Sequence, residues 1–560
     1  MRSCLFACLL SFASMAAGQN GFTGLVTASG SPVAGARVTL FTPNLSQFFE
    51  TRTAGDGRYT ITGVPPMPYR LGVAKVNLGY QEIQVDTNGG MQTMNFALQP
   101  ETHPGQWNIV GNTLPEFFDG TDIAVLLANG KIFYCHDTTD PILFDPVTGQ
   151  KTFPAGFWLP SGCMNGTLGT DGKVFFAGGQ EGNDPGSFTN AVRYVRTYNP
   201  ATNSWQRLPD LLQENGRWYP GFARLADGSY LAMGGGTRPK AERTDTCEWW
   251  NPTTQSWSWT GSMLNPAEFP PAALLHNGKV LITWSPPQLF SPATETWTAT
   301  GNFIQPERGW PNHSDHSIVV LSDGRVAAVG VRKGPSNNQF MGEIYNPLTQ
   351  TWSLTSNPGL VRLQPEVVQL PDGRIFVGAG EGEGDLGGIP NILGIVKWTD
   401  LFDPSTNAWR RVADMNHFRE YHAVTLLVPD GRVFTTGGTR IKFQYGPTSA
   451  DVEAFSPPYL FRGVRPRIGR LASTLIRGSG QKITITPATQ VTSVVLIGTQ
   501  STTHWVDGGI PRRVVMRPGQ AGNTVSFDLP SNANLLPSGH YMLFAMVDDI
   551  PSIGQIVRVP

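Results

Sequence analysis

"TLGTDGKVFFAGG", residues 167–179, joins two short apolar runs through Asp171-Gly172. Asp-Gly flanked by apolar runs is the strongest short-range signal of a β-hairpin, because the glycine takes the positive φ that such a turn needs. The pattern recurs as "LLANGKIFYC", "RLADGSYLAMGG", "LLHNGKVLITW", "VLSDGRVAAVG", "QLPDGRIFVGAG" and "LLVPDGRVFTTGG". Its turn glycines are Gly130, Gly172, Gly228, Gly278, Gly324, Gly373 and Gly431, 42 to 58 residues apart. Between them runs a second motif: "FDPVTGQ", "YNPATNSW", "WNPTTQSW", "FSPATETW", "YNPLTQTW" and "FDPSTNAW". Five of its copies end on tryptophan, at Trp205, Trp257, Trp297, Trp352 and Trp409.

An aromatic, a turn and a tryptophan suit the outer hairpin of a four-stranded unit. Periods near 50 residues with these two interleaved motifs read as kelch-type blades, and seven turns predict a seven-bladed β-propeller over residues 101–456. The flanks read differently. Residues 19–100 alternate in short strands broken by Gly, Pro and Asp-Gly, as in "GFTGLVTASGSPVAGARVTLF", which predicts an Ig-like β-sandwich. This stretch resembles the regulatory-like domain of carboxypeptidases. It shows no cluster of catalytic residue types and is assigned to spacing or to contact with a carbohydrate or other surface. Residues 457–560 carry "KITITP", "VTSVVLIG", "TVSFDLP" and "HYMLFAMVDD" without the blade motif, and read as a C-terminal Ig-like β-sandwich. The fold class expected is all-β.

Composition narrows the function. Charged residues are 15% of the 560, the formal net charge is −1, and no basic block stands out, so the electrostatic footprint of a nucleic-acid binder is missing. "MRSCLFACLLSFASMAAGQN" has one positive residue, an apolar stretch and small residues, the layout of a secretory signal peptide over residues 1–18. No other stretch has the length of unbroken apolar sequence that a membrane span requires. A secreted protein is expected. Its mature part holds Cys135, Cys163 and Cys247, an odd number for an oxidising compartment, which leaves at least one thiol unpaired or otherwise used.

Counting back nine residues from each turn glycine gives Thr121, Cys163, Tyr219, Phe269, Asp315, Gln364 and His422. In a propeller these are equivalent points at the mouth of the innermost strands, facing the central channel. Tyr421 stands one place before His422. Ring closure would bring a cysteine, two tyrosines and a histidine together, and imidazole with oxygen ligands suits Cu(II). His313, Asp315 and His316 in "PNHSDHS" face the same channel and read as a polar wall. The glycines of "GEGEGDLGG", Gly382, Gly384 and Gly387, precede no helix pattern and read as a loop rather than a phosphate cradle. Asn44, Asn165 and Asn312 begin glycosylation sequons.

These residues resemble the galactose oxidase and glyoxal oxidase group of copper radical oxidases. "EYHAVTLLVPDGRVFTTGG" is similar to its Tyr-His blade, "RWYPGFARLADGSYLAMGG" to the blade of its redox tyrosine, and "SGCMNGTLGTDGKVFFAGG" to that of its cross-linked cysteine. "SPPYLFRGVRPRI" resembles its C-terminal domain and "STTHWV" the loop bearing a second histidine. The resemblance implies one copper bound by Tyr219, Tyr421, His422 and His504, with Cys163 joined to the Tyr219 ring by a thioether that lets the tyrosine hold a stable radical. It implies oxidation of a primary alcohol or hydrated aldehyde, with Tyr421 as general base and dioxygen reduced to hydrogen peroxide. Cys163 would be consumed, leaving Cys135 and Cys247 to pair or stay reduced.

Three features depart from the pattern. The tryptophan that galactose oxidase stacks on its redox tyrosine is replaced in register by Thr237; where Asx-Gln-Arg usually follows the C-terminal histidine, "HWVDGGIPRR" is a residue longer and lacks the Gln; and the N-terminal domain is not the sugar-binding module of galactose oxidase. "RWYP" and "SPPYLF" lean to the glyoxal oxidase branch, hence to small aldehydes or primary alcohols. The alternative expectation is a non-catalytic secreted propeller that binds carbohydrate or protein.

Overall fold

A computed structural model describes residues 20–87, 90–113, 121–136, 139–155, 162–181, 190–237, 242–284, 286–305, 316–330, 341–358, 362–382, 396–420, 422–438 and 450–560. The expected leader, 1–18, lies outside them. The chain divides into two compact units, one ending at Thr102 and one running from His103 to Pro560. Both are all-β. Among the described residues the helical content is a single four-residue 3-10 turn, Pro458–Phe461.

In the first unit, strands Gly21–Ala28 and Arg58–Thr62 form one sheet, while Phe48–Arg52, Arg37–Phe41, Pro68–Lys75 and Leu78–Asp86 form a second. Phe22, Val38, Leu40, Tyr59, Leu71 and Phe96 pack one shared core. The alternation in "RYTIT", exposed and buried by turns, is the period-2 pattern of a strand with one wet face.

The second unit repeats one local design, antiparallel sheets whose first two strands are joined by the Asp/Asn-Gly turn. Gly130, Gly172, Gly228, Gly278, Gly324, Gly373 and Gly431 all have φ between 81° and 93°, where glycine is the default residue. Asn165–Leu168, Val174–Ala177, Val195–Asn199 and Ser204–Leu208 form one such sheet in sequence order. The inner strands are buried on both faces, which accounts for the unbroken apolar run of Val174–Ala177.

Tryptophans of the second motif tie three of the sheets to the one before. Trp257 Nε1 donates to Pro209 O at 3.1 Å, Trp297 Nε1 to Gly261 O at 2.7 Å and Trp352 Nε1 to Gly301 O at 2.8 Å. The sheet built on Ala423–Leu427, Val433–Gly437 and Asp451–Ser456 has no such tryptophan of its own. Its outer strand is Gln106–Asn112, from the far end of the unit, and Trp107 Nε1 donates to Ala413 O at 2.9 Å. Start and end of the repeat region therefore share one sheet, the closure that a β-propeller requires.

The C-terminal segment forms two further sheets, centred on Gly480–Thr486 with Thr524–Asp528 and on Ser493–Gly498 with Gly539–Val547. Ile483, Val494, Leu496, Phe527, Tyr541 and Leu543 fill the space between them. One hairpin leaves this sandwich: Ser501–Thr503 pairs with Ile123–Leu126, the innermost strand of a propeller sheet.

Candidate metal centre

Four of the count-back residues, Cys163 (φ 55°), Tyr219 (φ 51°), Phe269 (φ 54°) and Gln364 (φ 51°), share with His422 (φ 65°) a left-handed backbone. Each sits just before an inner strand. For a residue with a Cβ this conformation costs roughly 1–3 kcal/mol. The surrounding hydrogen bonds impose it. Tyr219 N donates to Cys163 O at 3.1 Å, Phe269 N to Tyr219 O at 2.8 Å, and Thr121 N to His422 O at 2.9 Å, so these mouths are bonded to their neighbours in the ring. The left-handed step turns the side chain out of the pleat and toward the axis.

The turned side chains meet. One ligand atom each of Cys163, His422 and His504 lies within 4.8 Å of the others. Tyr219 Oη is 3.3 Å from His504 Nε2, and the His422 and His504 rings are 4.7 Å apart. Cys163 and Tyr219 pack in one buried cluster with Phe269, Trp505 and Val506. Two imidazoles and a phenol beside a thiol form a donor set that suits copper. Tyr421 lies outside the described residues.

His504 reaches the axis on the hairpin from the C-terminal sandwich, itself at φ 52° and buried, with its backbone N donating to Asp122 O at 3.2 Å. The departure noted in "HWVDGGIPRR" has a physical reason. Asp507 Oδ1 accepts from Ser501 N at 3.0 Å and Gly509 N at 2.8 Å, closing the hairpin. A Cβ on Gly508 would stand 2.5 Å from Asn165 Oδ1 and 2.9 Å from Gly166 O, so the loop passes too close to that strand for any side chain. Burial pushes the Asp507 carboxyl above its usual range, while the N–H groups of Ser501 and Gly509 pull it down.

Other rings flank the Tyr219 phenol. Thr237 is turned to the short hairpin that follows, its Oγ1 donating to Glu242 O at 2.9 Å. The neighbouring Trp218 ring lies 4.6 Å from that of Tyr219, and Phe269 is 5.0 Å away.

The mouths are held from behind by buried ion pairs that the sequence reading missed. Arg217 meets Glu248 at 2.8 Å, Arg362 meets Asp400 at 2.7 Å and Arg419 meets Glu453 at 2.9 Å. Each arginine also donates to a carbonyl at or just after the end of its sheet's second strand: Gly234, Ala379 and Gly437. Arg217 and Arg362 stand two residues before Tyr219 and Gln364, but Arg419 stands three before His422. In sequence that mouth carries one residue more, Glu420-Tyr421 against Trp218 or Leu363 alone. Burial pulls the Arg419 guanidinium below its usual range and Glu453 opposes the shift. Removing one partner strands the other charge, so Glu453→Ala is expected to lower the unfolding free energy by about 3–5 kcal/mol in a urea titration. Replacing Arg419 and Glu453 together by apolar residues of similar volume should cost far less.

The remaining candidates separate. His316 is buried with Nε2 2.8 Å from Thr283 Oγ1, while His313, Asp315 and Asn312 lie outside the described residues. Asn165 is fully buried and its Nδ2 donates to Pro220 O at 3.1 Å, which removes it as a glycosylation site; Asn44 is exposed. Cys135 packs with Ile123 and Met164, Cys247 with Met233 and Met263 in a different sheet, so these two do not pair. Burial pushes the Cys247 thiol up to about 12. Gly382 ends a two-residue strand paired with Arg362–Leu363, and Gly384 and Gly387 lie outside the described residues. Among the described residues no helix is long and apolar enough to cross a membrane.

Asp122 follows Thr121, a count-back position, yet nothing in its local sequence marks it. Its Oδ1 lies 3.5 Å from His422 Nε2 and 3.7 Å from His504 Nε2.

Comparison with known proteins agrees with this picture. Residues 465–559 match the family model "Galactose oxidase-like, Early set domain" and residues 21–99 match "Carboxypeptidase regulatory-like domain". A galactose oxidase of Gibberella zeae is 30% identical over 199 residues, 34% of this chain; the match spans 28% of that protein's length. An Arabidopsis thaliana protein named aldehyde oxidase GLOX1 is 24% identical over 535 residues, 84% of this chain and 83% of its own. A fungal alcohol oxidase of the AA5 family, solved in complex with copper, superposes with a TM-score of 0.66 at 19% identity, over 82% of this chain and 100% of that one; at that identity the likeness speaks for the fold. Residues 465–559 are thus a galactose oxidase-like domain and residues 21–99 a carboxypeptidase regulatory-like domain, and the similarity of the longer stretches to a galactose oxidase and an aldehyde oxidase supports the resemblance to the copper radical oxidases.

Proposed function

We propose that this chain is a secreted copper radical oxidase that converts a primary alcohol or hydrated aldehyde to the next oxidation level and reduces dioxygen to hydrogen peroxide. The observation that carries this reading is the convergence of Cys163, Tyr219, His422 and His504, from sequence positions up to 341 residues apart, on one buried point. In this reading the repeated sheets are the seven blades of one propeller between two Ig-like sandwiches, and residues 1–18 are cleaved on export. The regulatory-like domain contacts a carbohydrate or other surface. The names of the relatives, two aldehyde oxidases and an alcohol oxidase beside the galactose oxidases, favour a small aldehyde or primary alcohol.

Tyr219, Tyr421, His422 and His504 would hold one copper ion. Bound there, copper supplies one-electron redox chemistry beside the Tyr219 phenol and a position for the substrate's oxygen. The chain's own residues do the rest. Cys163 is joined to Tyr219 when its S–H and a ring C–H give way to one C–S bond, the two electrons and two protons passing to dioxygen. The thioether makes Tyr219 easier to oxidise, and the phenoxyl takes a hydrogen atom from the substrate carbon. Tyr421 accepts the hydroxyl proton. Trp218, Phe269 and Trp505 exclude water from the phenol. Over a turnover two electrons and two protons leave the substrate and end on dioxygen as hydrogen peroxide.

Peptide mass spectrometry tests the reading. Protein matured with copper and oxygen is expected to yield one species that joins the peptides of Cys163 and Tyr219, lighter than their sum by two hydrogens and resistant to reducing agent. Separate peptides from a chain that takes up no stoichiometric copper would instead make it a binding propeller.

A further inference from the structure

Asp122 stands at the mouth of Ile123–Leu126, 1% exposed, with its backbone fixed on both sides: its N donates to Cys135 O at 3.0 Å and its O accepts from His504 N at 3.2 Å. The same ring nitrogen, Nε2, of two histidines is turned to it, at 3.5 and 3.7 Å from Oδ1. These separations are too long for N–H···O hydrogen bonds, which fall at about 2.7–3.2 Å. They suit two donors on one ion instead. Nitrogen and oxygen ligands sit about 2.0–2.2 Å from a first-row metal, so a pair of them lies up to about 4 Å apart. His504 Nε2 also faces Tyr219 Oη at 3.3 Å, so the nitrogen turned to Asp122 is the one turned to the phenol. Asp122 Oδ1, Tyr219 Oη, His422 Nε2 and His504 Nε2 thus surround one volume.

We infer that Asp122 is a further ligand of this centre, giving the ion a carboxylate oxygen besides the two imidazoles and the Tyr219 phenol. The inference rests on the copper reading above. A hard anionic oxygen favours Cu(II) over Cu(I), so Asp122 stabilises the oxidised ion and balances its charge inside the propeller.

Asp122→Asn keeps the shape and removes the charge; Asp122→Ala removes the donor. Chelator competition is expected to show Cu(II) affinity falling on the order of a thousandfold in Asp122→Ala, beyond the roughly ten- to hundredfold that an outer-shell partner is worth, with a smaller loss for Cu(I). The Cu(II) paramagnetic resonance spectrum should change its hyperfine splitting. Infrared difference spectra of the unsubstituted protein, copper-loaded minus metal-free, provide a measure that no folding defect can obscure: a carboxylate stretch should shift. Unchanged affinity and resonance in variants that bind one copper, or the lack of a carboxylate band, would overturn the inference and leave the copper reading standing. An unsubstituted chain that binds no copper would overturn both.

Discussion

The His422→Gly protein is expected to fold as well as the unsubstituted chain while losing its copper. His422 has φ 65°, and a residue with a Cβ loses about 1 kcal/mol or more there, a strain that glycine does not feel. The relief offsets what is lost with the imidazole, whose ring sits 4.7 Å from that of His504 and which is only half-buried. The metal-free variant should therefore melt within a few degrees of the original, since about 1 kcal/mol shifts a domain of 150–250 residues by roughly 2–4 °C. Copper is another matter. Outer-shell partners of metal ligands are worth about ten- to hundredfold in affinity, so loss of a ligand should cost on the order of a thousandfold. Calorimetric melting and copper titration read the two effects separately. A variant that melts far lower yet keeps its copper would make His422 a structural residue.

Tyr219→Phe and Cys163→Ser should both cut turnover sharply and differ in the metal. Tyr219→Phe keeps a ring packed between Trp218 and Phe269 but removes the hydroxyl 3.3 Å from His504 Nε2, so it deletes a copper donor together with the radical site. Peroxide production should fall at least about a thousandfold, the scale seen when one member of a concerted catalytic set is removed, and copper should bind more weakly. Cys163→Ser leaves Tyr219, His422 and His504 intact. It should bind one copper almost normally, yield separate Cys163-site and Tyr219 peptides, and lose turnover by about a hundredfold or more because the phenol is harder to oxidise. Full turnover in Cys163→Ser would remove the thioether from the mechanism.

Much of this was legible in the chain because the signals are local and repeated. The seven turn glycines all take the positive φ that their Asp/Asn-Gly contexts predict. Counting back from them located Cys163, Tyr219 and His422, which the structure brings to one place, and Phe269 and Gln364 share their backbone state. The N-terminal regulatory-like domain and the loop bearing His504 were likewise readable as motifs.

Other features carry no local signal. Trp107 completes a sheet whose other strands lie more than 300 residues away, so its role exists only once the ring closes. Arg217, Arg362 and Arg419 look like surface charges in sequence and are buried clamps in the fold. Asp122 gains its meaning from two histidines 300 and 382 residues further on. The opening of the site depends on the same distinction. Sequence alone determined that these strands form, where they turn, and which residues stand at their mouths, since periodicity and turn chemistry act over a few residues. Only the tertiary structure decided that those residues face one another. Left-handed backbone is a state that cysteine, tyrosine and histidine disfavour, and it persists here because hydrogen bonds between neighbouring sheets hold it.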